Sequence, residues 1–177
     1  MAQKGQELYL IDGSAYIYRA YHAMGPLSNS QGTPTGAIFG FTNMIVKTLK
    51  DKSPHRIAVV FDSKGPTFRH DMYPEYKANR PEAPEDLKVQ IPKIHDLVRA
   101  YSIPTISVQG YEADDIIATL TQRASERSWK VVIVSGDKDL TQIVGPTTCM
   151  WDPQKDVVYD EQGVKEKFGI KPSQVID

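Results

Sequence analysis

The sequence holds a single cysteine, Cys149, in 177 residues. That excludes a disulfide framework and a zinc site built from several thiolates, and it suits a reducing cytoplasm. Long apolar runs are also missing. The longest, such as Ile57–Phe61 and Val131–Val134, fall far short of the roughly 20 residues that cross a bilayer, so no membrane partner is expected. The opening MAQKGQE lacks the apolar stretch of a secretory signal. Histidines number four, and His22, His55 and His95 stand at no spacing that suggests metal ligation. No internal repeat or low-complexity tract interrupts the chain.

What is present reads as an ordinary globular protein. Apolar residues make up 40% and charged residues 24%, which excludes disordered and fibrous architectures. The length suits one domain or slightly more, enough to bury roughly 70% of the unfolded surface. The net charge of −1 hides an uneven distribution. Seven acids fall in four short clusters: Asp12, Asp62, Glu112/Asp114/Asp115 and Asp137/Asp139. Setting these aside leaves 21 basic side chains against 15 acidic ones. A basic body with an acidic centre suits a metal-dependent enzyme acting on a polyanion.

Strand and helix patterns alternate. Leu8–Ile11, Ile57–Phe61, Thr105–Val108 and Lys130–Val134 read as buried strands, and Thr147–Trp151 and Val157–Tyr159 as short late ones. Helical spacing follows Gly13 through Tyr21, then carries Ile38, Phe41, Ile45 and Leu49 on one face. It returns over Glu85–Tyr101, where Pro92 predicts a kink, and over Glu112–Arg127, with Ile116, Ile117, Leu120 and Ala124 inward. A short helix is expected from Asp137, and further helices start at Lys165–Phe168 and Pro172–Ile176. Such alternation implies a largely parallel sheet covered on both faces. The final helical pattern has no cap or polar tail, so the chain is expected to be cut from a longer one. Trp129, Trp151 and Cys149 read as packing residues.

Asp12, Asp62 and Asp137 each lie at or just past the carboxyl end of an expected strand, the edge where open α/β sheets bind ligands. Glu112, Asp114 and Asp115 open a helix that starts at the same edge. Each cluster has an ordinary explanation in helix capping or turn chemistry; four of them at one sheet edge are harder to explain that way. Carboxylates held together repel unless a cation lies among them. Oxygen ligands without histidine or cysteine select Mg²⁺ or Mn²⁺. Seven acids exceed what one magnesium needs, and two ions about 4 Å apart are the arrangement for attack of water on a phosphodiester.

Residues 64–84 break the rhythm with four prolines and no clean apolar face. This excursion, with a helical turn expected around Tyr73–Lys77, interleaves Phe68, Tyr73 and Tyr76 with Arg69, Lys77 and Arg80. Cations neutralise phosphates and aromatic faces stack on unpaired bases; a solvated loop whose tyrosines pack inward is the alternative.

The stretches IDGSAYIYRAYHA, GTPTGAIFGFTNM, VVFDSKGPTFRHDMYPEYKANRP, GYEADDIIATL and VSGDKDLTQIV together resemble the 5′–3′ exonuclease domain of bacterial DNA polymerase I, in the flap-endonuclease superfamily. The resemblance implies a PIN-like three-layer α/β sandwich whose mostly parallel central sheet is flanked by helices. It also implies a structure-specific nuclease acting on DNA with a 5′ flap, nick or RNA primer, using two Mg²⁺ ions. Asp12, Asp62, Glu112 and Asp114 match first-metal ligands or their water-mediated partners. Asp115, Asp137 and Asp139 match the second metal or its surroundings. Arg69, Lys77 and Arg80 match the cations of the family's helical arch, which contact the scissile phosphate and threaded strand, and Tyr76 is the stacking candidate there. A helix–hairpin–helix-type module and a polymerase domain would follow in the parent protein; residues 1–177 stop before either. A non-catalytic PIN-like binding module is the alternative from another class. A phosphatase with an aspartyl nucleophile is less well matched, since it favours Asp-x-Asp where this chain has Asp12-Gly13-Ser14.

Overall fold

Strands form where β-branched and aliphatic residues run together between polar breaks. In the computed structural model, which describes residues 6–175, these are β1 (Glu7–Asp12), β2 (Ile57–Val60), β3 (Thr105–Ile106), β4 (Lys130–Val134), β5 (Thr148–Asp152) and β6 (Val157–Tyr159). One sheet takes them in the order β3-β2-β1-β4-β5-β6. Every pairing is parallel except that of β5 with β6. The chain builds outward from β1 to β3, then returns to the other flank of β1 with β4. That reversal makes the carboxyl ends of β1 and β4 a topological switch point, where such sheets open a crevice for ligands.

The helices are α1 (Gly13–Met24), α2 (Gly36–Lys52), α3 (Phe68–Met72), α4 (Glu85–Lys88), α5 (Ile91–Ala100), α6 (Ala113–Ser125) and α7 (Glu161–Phe168). Short 3₁₀ turns follow at Asp139–Ile143 and Pro172–Gln174. Alternation along the strands divides the core. Tyr9, Ile11, Val59, Phe61, Val132 and Val134 pack with α1, α2 and α5. Leu10, Ala58, Val60, Val131 and Ile133 pack with α6 and Val164 of α7. The sheet is thus covered on both faces, as the alternation implied. Phe41, Ile45, Ile94, Val98 and Ile117 are wholly buried, as is Trp151 in β5.

Several local expectations change. Pro92 does not kink one helix; it lies at the start of α5, beyond a break at Val89 and Gln90. A first-turn proline loses no intrahelical hydrogen bond. Gln90 stabilises the break from within: its Oε1 accepts the Ala37 and Ile38 N–H groups, and its Nε2 donates to the Asp86 carbonyl. The third strand stops at Ile106, because the Val108 carbonyl accepts the Tyr111 N–H in a turn instead. In the 64–84 excursion, α3 forms ahead of the expected turn, with the Thr67 N–H donating to His70 Nδ1. Successive turns then run from Tyr73 to Arg80. Residues 1–5, part of the MAQKGQE segment, and Ile176, the end of the last expected helix, lie outside the described residues.

Candidate active site

Asp12 ends β1 and caps α1. Its Oδ1 accepts the Ala15 N–H at 3.0 Å and its Oδ2 accepts the Ser135 hydroxyl at 3.0 Å. Only 2% of the residue is exposed. Burial pushes its pKa up to about 6; the two hydrogen bonds oppose that rise, and the charges of Asp62 and Asp137 add to it. Asp62 lies two residues past β2. Its N–H donates to Ser14 Oγ at 2.8 Å, and its Oδ1 accepts the Ala113 N–H at 2.7 Å. Asp62 therefore caps α6 from a separate strand and fixes the start of that helix, with its three acids, at the switch point.

Asp114 carries the clearest sign of convergence. Burial lifts its pKa to about 7, helped by the charges of Asp12, Asp137, Asp62 and Glu112. Four chain segments thus act on one carboxyl. Asp137 is held by its own N–H, which donates to Ser135 Oγ at 3.1 Å, and its Oδ1 accepts the Asp139 N–H at 3.0 Å. Two adjoining clefts receive all seven acids. One, of about 150 Å³, is lined by Asp12, Asp62, Glu112, Asp114 and Asp137. The other, of about 480 Å³, is lined by Glu112, Asp114, Asp115, Asp137 and Asp139. Both include Lys77 and Arg80, and the second adds Arg69 and Tyr76.

The excursion folds back onto the acids. Arg69 makes a fork of two hydrogen bonds to Asp115, at 2.6 and 2.7 Å. This pairing holds the Asp115 carboxyl below its ordinary range. Lys77 Nζ donates to Glu112 Oε1 at 2.6 Å, and the Tyr76 hydroxyl donates to Glu112 Oε2 at 3.1 Å. Partial burial is the largest single influence and opposes the Lys77 charge, but the bonds to Glu112 and Tyr76 and the Glu112 charge together outweigh it and the pKa rises. Lys77 also adopts φ +56°, a left-handed conformation uncommon for a lysine. Arg80 is exposed at the rim.

Sequence reasoning missed Ser14, Ser135 and Tyr18 at this site. Ser14 follows the first strand-end aspartate by two residues, and Ser135 directly follows β4, positions that could have marked them. Tyr18 lies about two turns along α1 from Asp12 and lines the smaller cleft. His95 is a packing residue, its ring tilted against that of Phe61 with centroids 4.1 Å apart.

The donor set fits hard divalent ions: the acids facing the clefts are carboxylates, and burial with mutual repulsion makes Asp12 and Asp114 costly to ionise without a cation. Among the described residues no three acidic, histidine or cysteine side chains have closed onto a common point. Magnesium commonly keeps several of its waters and takes few carboxylates directly. Among the described residues no helix is long and apolar enough to cross a membrane.

Comparison with known proteins places the chain in a family. The chain is 47% identical over 170 residues to DNA polymerase I of Pseudomonas aeruginosa, covering 96% of this chain and 19% of that protein. It is 43% identical over 170 residues to the 5′-3′ exonuclease of Aquifex aeolicus, covering 96% and 59%. It therefore spans about a fifth of the polymerase and under two thirds of the exonuclease. Among solved structures, T5 5′-exonuclease with zinc ions bound superposes with a TM-score of 0.69 at 20% identity, over 95% of this chain and 63% of that one. At that identity the likeness is one of fold. The model of the 5′-3′ exonuclease N-terminal, resolvase-like domain matches residues 7–169, and the chain belongs to that family.

Proposed function

We propose that the chain is the divalent-metal-dependent 5′-nuclease core of a longer protein, hydrolysing phosphodiester bonds of DNA and of RNA primers at 5′ flaps and nicks. The observation that carries this reading is the gathering of seven acids from four segments into two adjoining clefts walled by Arg69, Lys77 and Arg80. Asp12, Asp62, Glu112 and Asp114 would hold one Mg²⁺, and Asp115, Asp137 and Asp139 a second or its surroundings. Bound there, such ions lower the pKa of attacking water and neutralise charge on the scissile phosphate. The chain's own groups do the rest. Lys77 and Arg69, now paired with Glu112 and Asp115, exchange those carboxylates for the incoming phosphate. Arg80 steers the strand from the rim, and the Tyr76 ring offers a stacking face for an unpaired base. Ser135 and Asp62 keep Asp12 and α6 in register throughout.

The 64–84 excursion acts as the arch over the strand. In the parent protein a helix–hairpin–helix-type module and a polymerase would follow, serving replication and repair in the cytoplasm. The test is cleavage of a 5′-flap DNA in Mg²⁺ by the complete protein. Asp114→Asn and Asp137→Asn are expected to abolish it with the fold intact. Full activity in both variants would refute the assignment and favour a non-catalytic binding module.

A further inference from the structure

Among the described residues three buried side-chain polar atoms have no hydrogen-bond partner, and two of them, Tyr16 Oη and Arg19 Nη1, lie together on α1. Leaving a donor buried and unpaired is costly, so Nη1 is held where it is by the bonds the rest of the guanidinium makes. Arg19 is gripped at its other edge: Nη2 donates to Asp152 Oδ2 at 2.8 Å, and Nε donates to the Gln154 side chain. Asp152 is 2% exposed and ends β5. Its Oδ1 accepts the Gln154 and Lys155 N–H groups, at 3.0 and 3.3 Å. The carboxylate is thus fixed by the backbone before it meets Arg19.

The unpaired edge presses on Gly136. A β-carbon built there would lie 1.3 Å from Arg19 Nη1 and 2.4 Å from its Cζ. Gly136 joins Ser135, whose hydroxyl donates to Asp12, to Asp137. The Ser135 N–H donates to the Trp151 carbonyl, next to Asp152. Arg19 follows Asp12 by seven residues, two helical turns along α1.

We propose that Arg19, clamped by Asp152, is a positioning residue that braces the Ser135–Asp137 loop from beneath and holds Asp137 toward Asp12 and Asp114. The inference rests on the nuclease reading of those acids. The rigid guanidinium plane fills the space that a side chain at 136 would take, and a flexible ammonium cannot reproduce that plane.

Calorimetric titration of the full chain with Mn²⁺ tests it, alongside thermal unfolding in EDTA. Groups that orient metal ligands from behind typically contribute about 10- to 100-fold in affinity, and Asp152→Asn is expected to weaken Mn²⁺ binding by that order. Arg19→Lys, which keeps the charge and loses the plane, should weaken it by the same order. A merely structural role would lower the unfolding midpoint without moving the affinity. Gly136→Ala is expected to weaken binding in the native background and to add nothing once Arg19→Ala has removed the guanidinium. Unchanged affinity in Asp152→Asn, or a Gly136→Ala effect equal with and without Arg19, would overturn the proposal while leaving the nuclease reading intact. Absent Mn²⁺ binding in the unsubstituted chain, or undiminished binding in Asp114→Asn, would overturn both.

Discussion

Asp114 concentrates the electrostatics of the site in one side chain. Its pKa of about 7, against an ordinary 3.8, means the folded chain binds a proton that the unfolded chain has released between those values. Stability of the metal-free protein therefore falls as pH rises from about 4 to 7, and the full cost persists above that window. Removing the charge should remove the cost. In EDTA at pH 8, Asp114→Asn is expected to be more stable than the native chain, by up to about 4 kcal/mol. Excess Mn²⁺ should reverse the order, because ligand binding stabilises only the chain that retains the site. Denaturant titration in both conditions measures this. An Asn variant less stable in EDTA would mean the carboxylate is already satisfied by the protein alone.

Among the elements, α1 is placed by contact as much as by its cap. A β-carbon on Gly13 would lie 2.5 Å from the Phe61 ring and 2.6 Å from the Val59 side chain. Both are buried, so the start of α1 presses directly on β2. Gly13→Ala should destabilise the fold by about 1–3 kcal/mol through overpacking, read as a lower denaturant midpoint at unchanged slope. A neutral result would mean that Phe61 swings aside freely. The helices themselves were legible where one continuous apolar stripe faces the core, as in α2 and α6. The α4–α5 break was not, since it depends on Gln90 reaching the distant start of α2, and apolar periodicity carries no signal of a polar junction. The five-residue α3 was hidden for a related reason: Thr67 and His70 stabilise it, and no buried apolar face does.

For the whole molecule, strand-end aspartates were legible because parallel strands deliver their carboxyl ends to one edge whatever their order. Asp152 ends β5 as Asp12 ends β1, yet its service to Arg19 depends on β5 lying next to β4, a spatial order that alternation does not specify. Nor did composition reveal that Lys77 and Arg69 rest on the acids, because Lys77–Glu112 and Arg69–Asp115 pairs form across 35 and 46 residues. That resting state has a consequence for DNA binding. Without metal, two cations are held by carboxylates and the remaining acids repel phosphate. Divalent ions that take Glu112 and Asp115 would release both cations and quench the repulsion. Binding of a 5′-flap DNA should then be tighter in Ca²⁺ than in EDTA at equal ionic strength. The slope of log affinity against log salt should steepen by about one to two, as two more phosphate contacts release counterions. Fluorescence anisotropy over a salt series measures both quantities, and in a Lys77→Ala/Arg69→Ala variant the steepening should vanish. Equal slopes with and without Ca²⁺ in the native chain would mean that Lys77 and Arg69 stay on their carboxylates when DNA arrives.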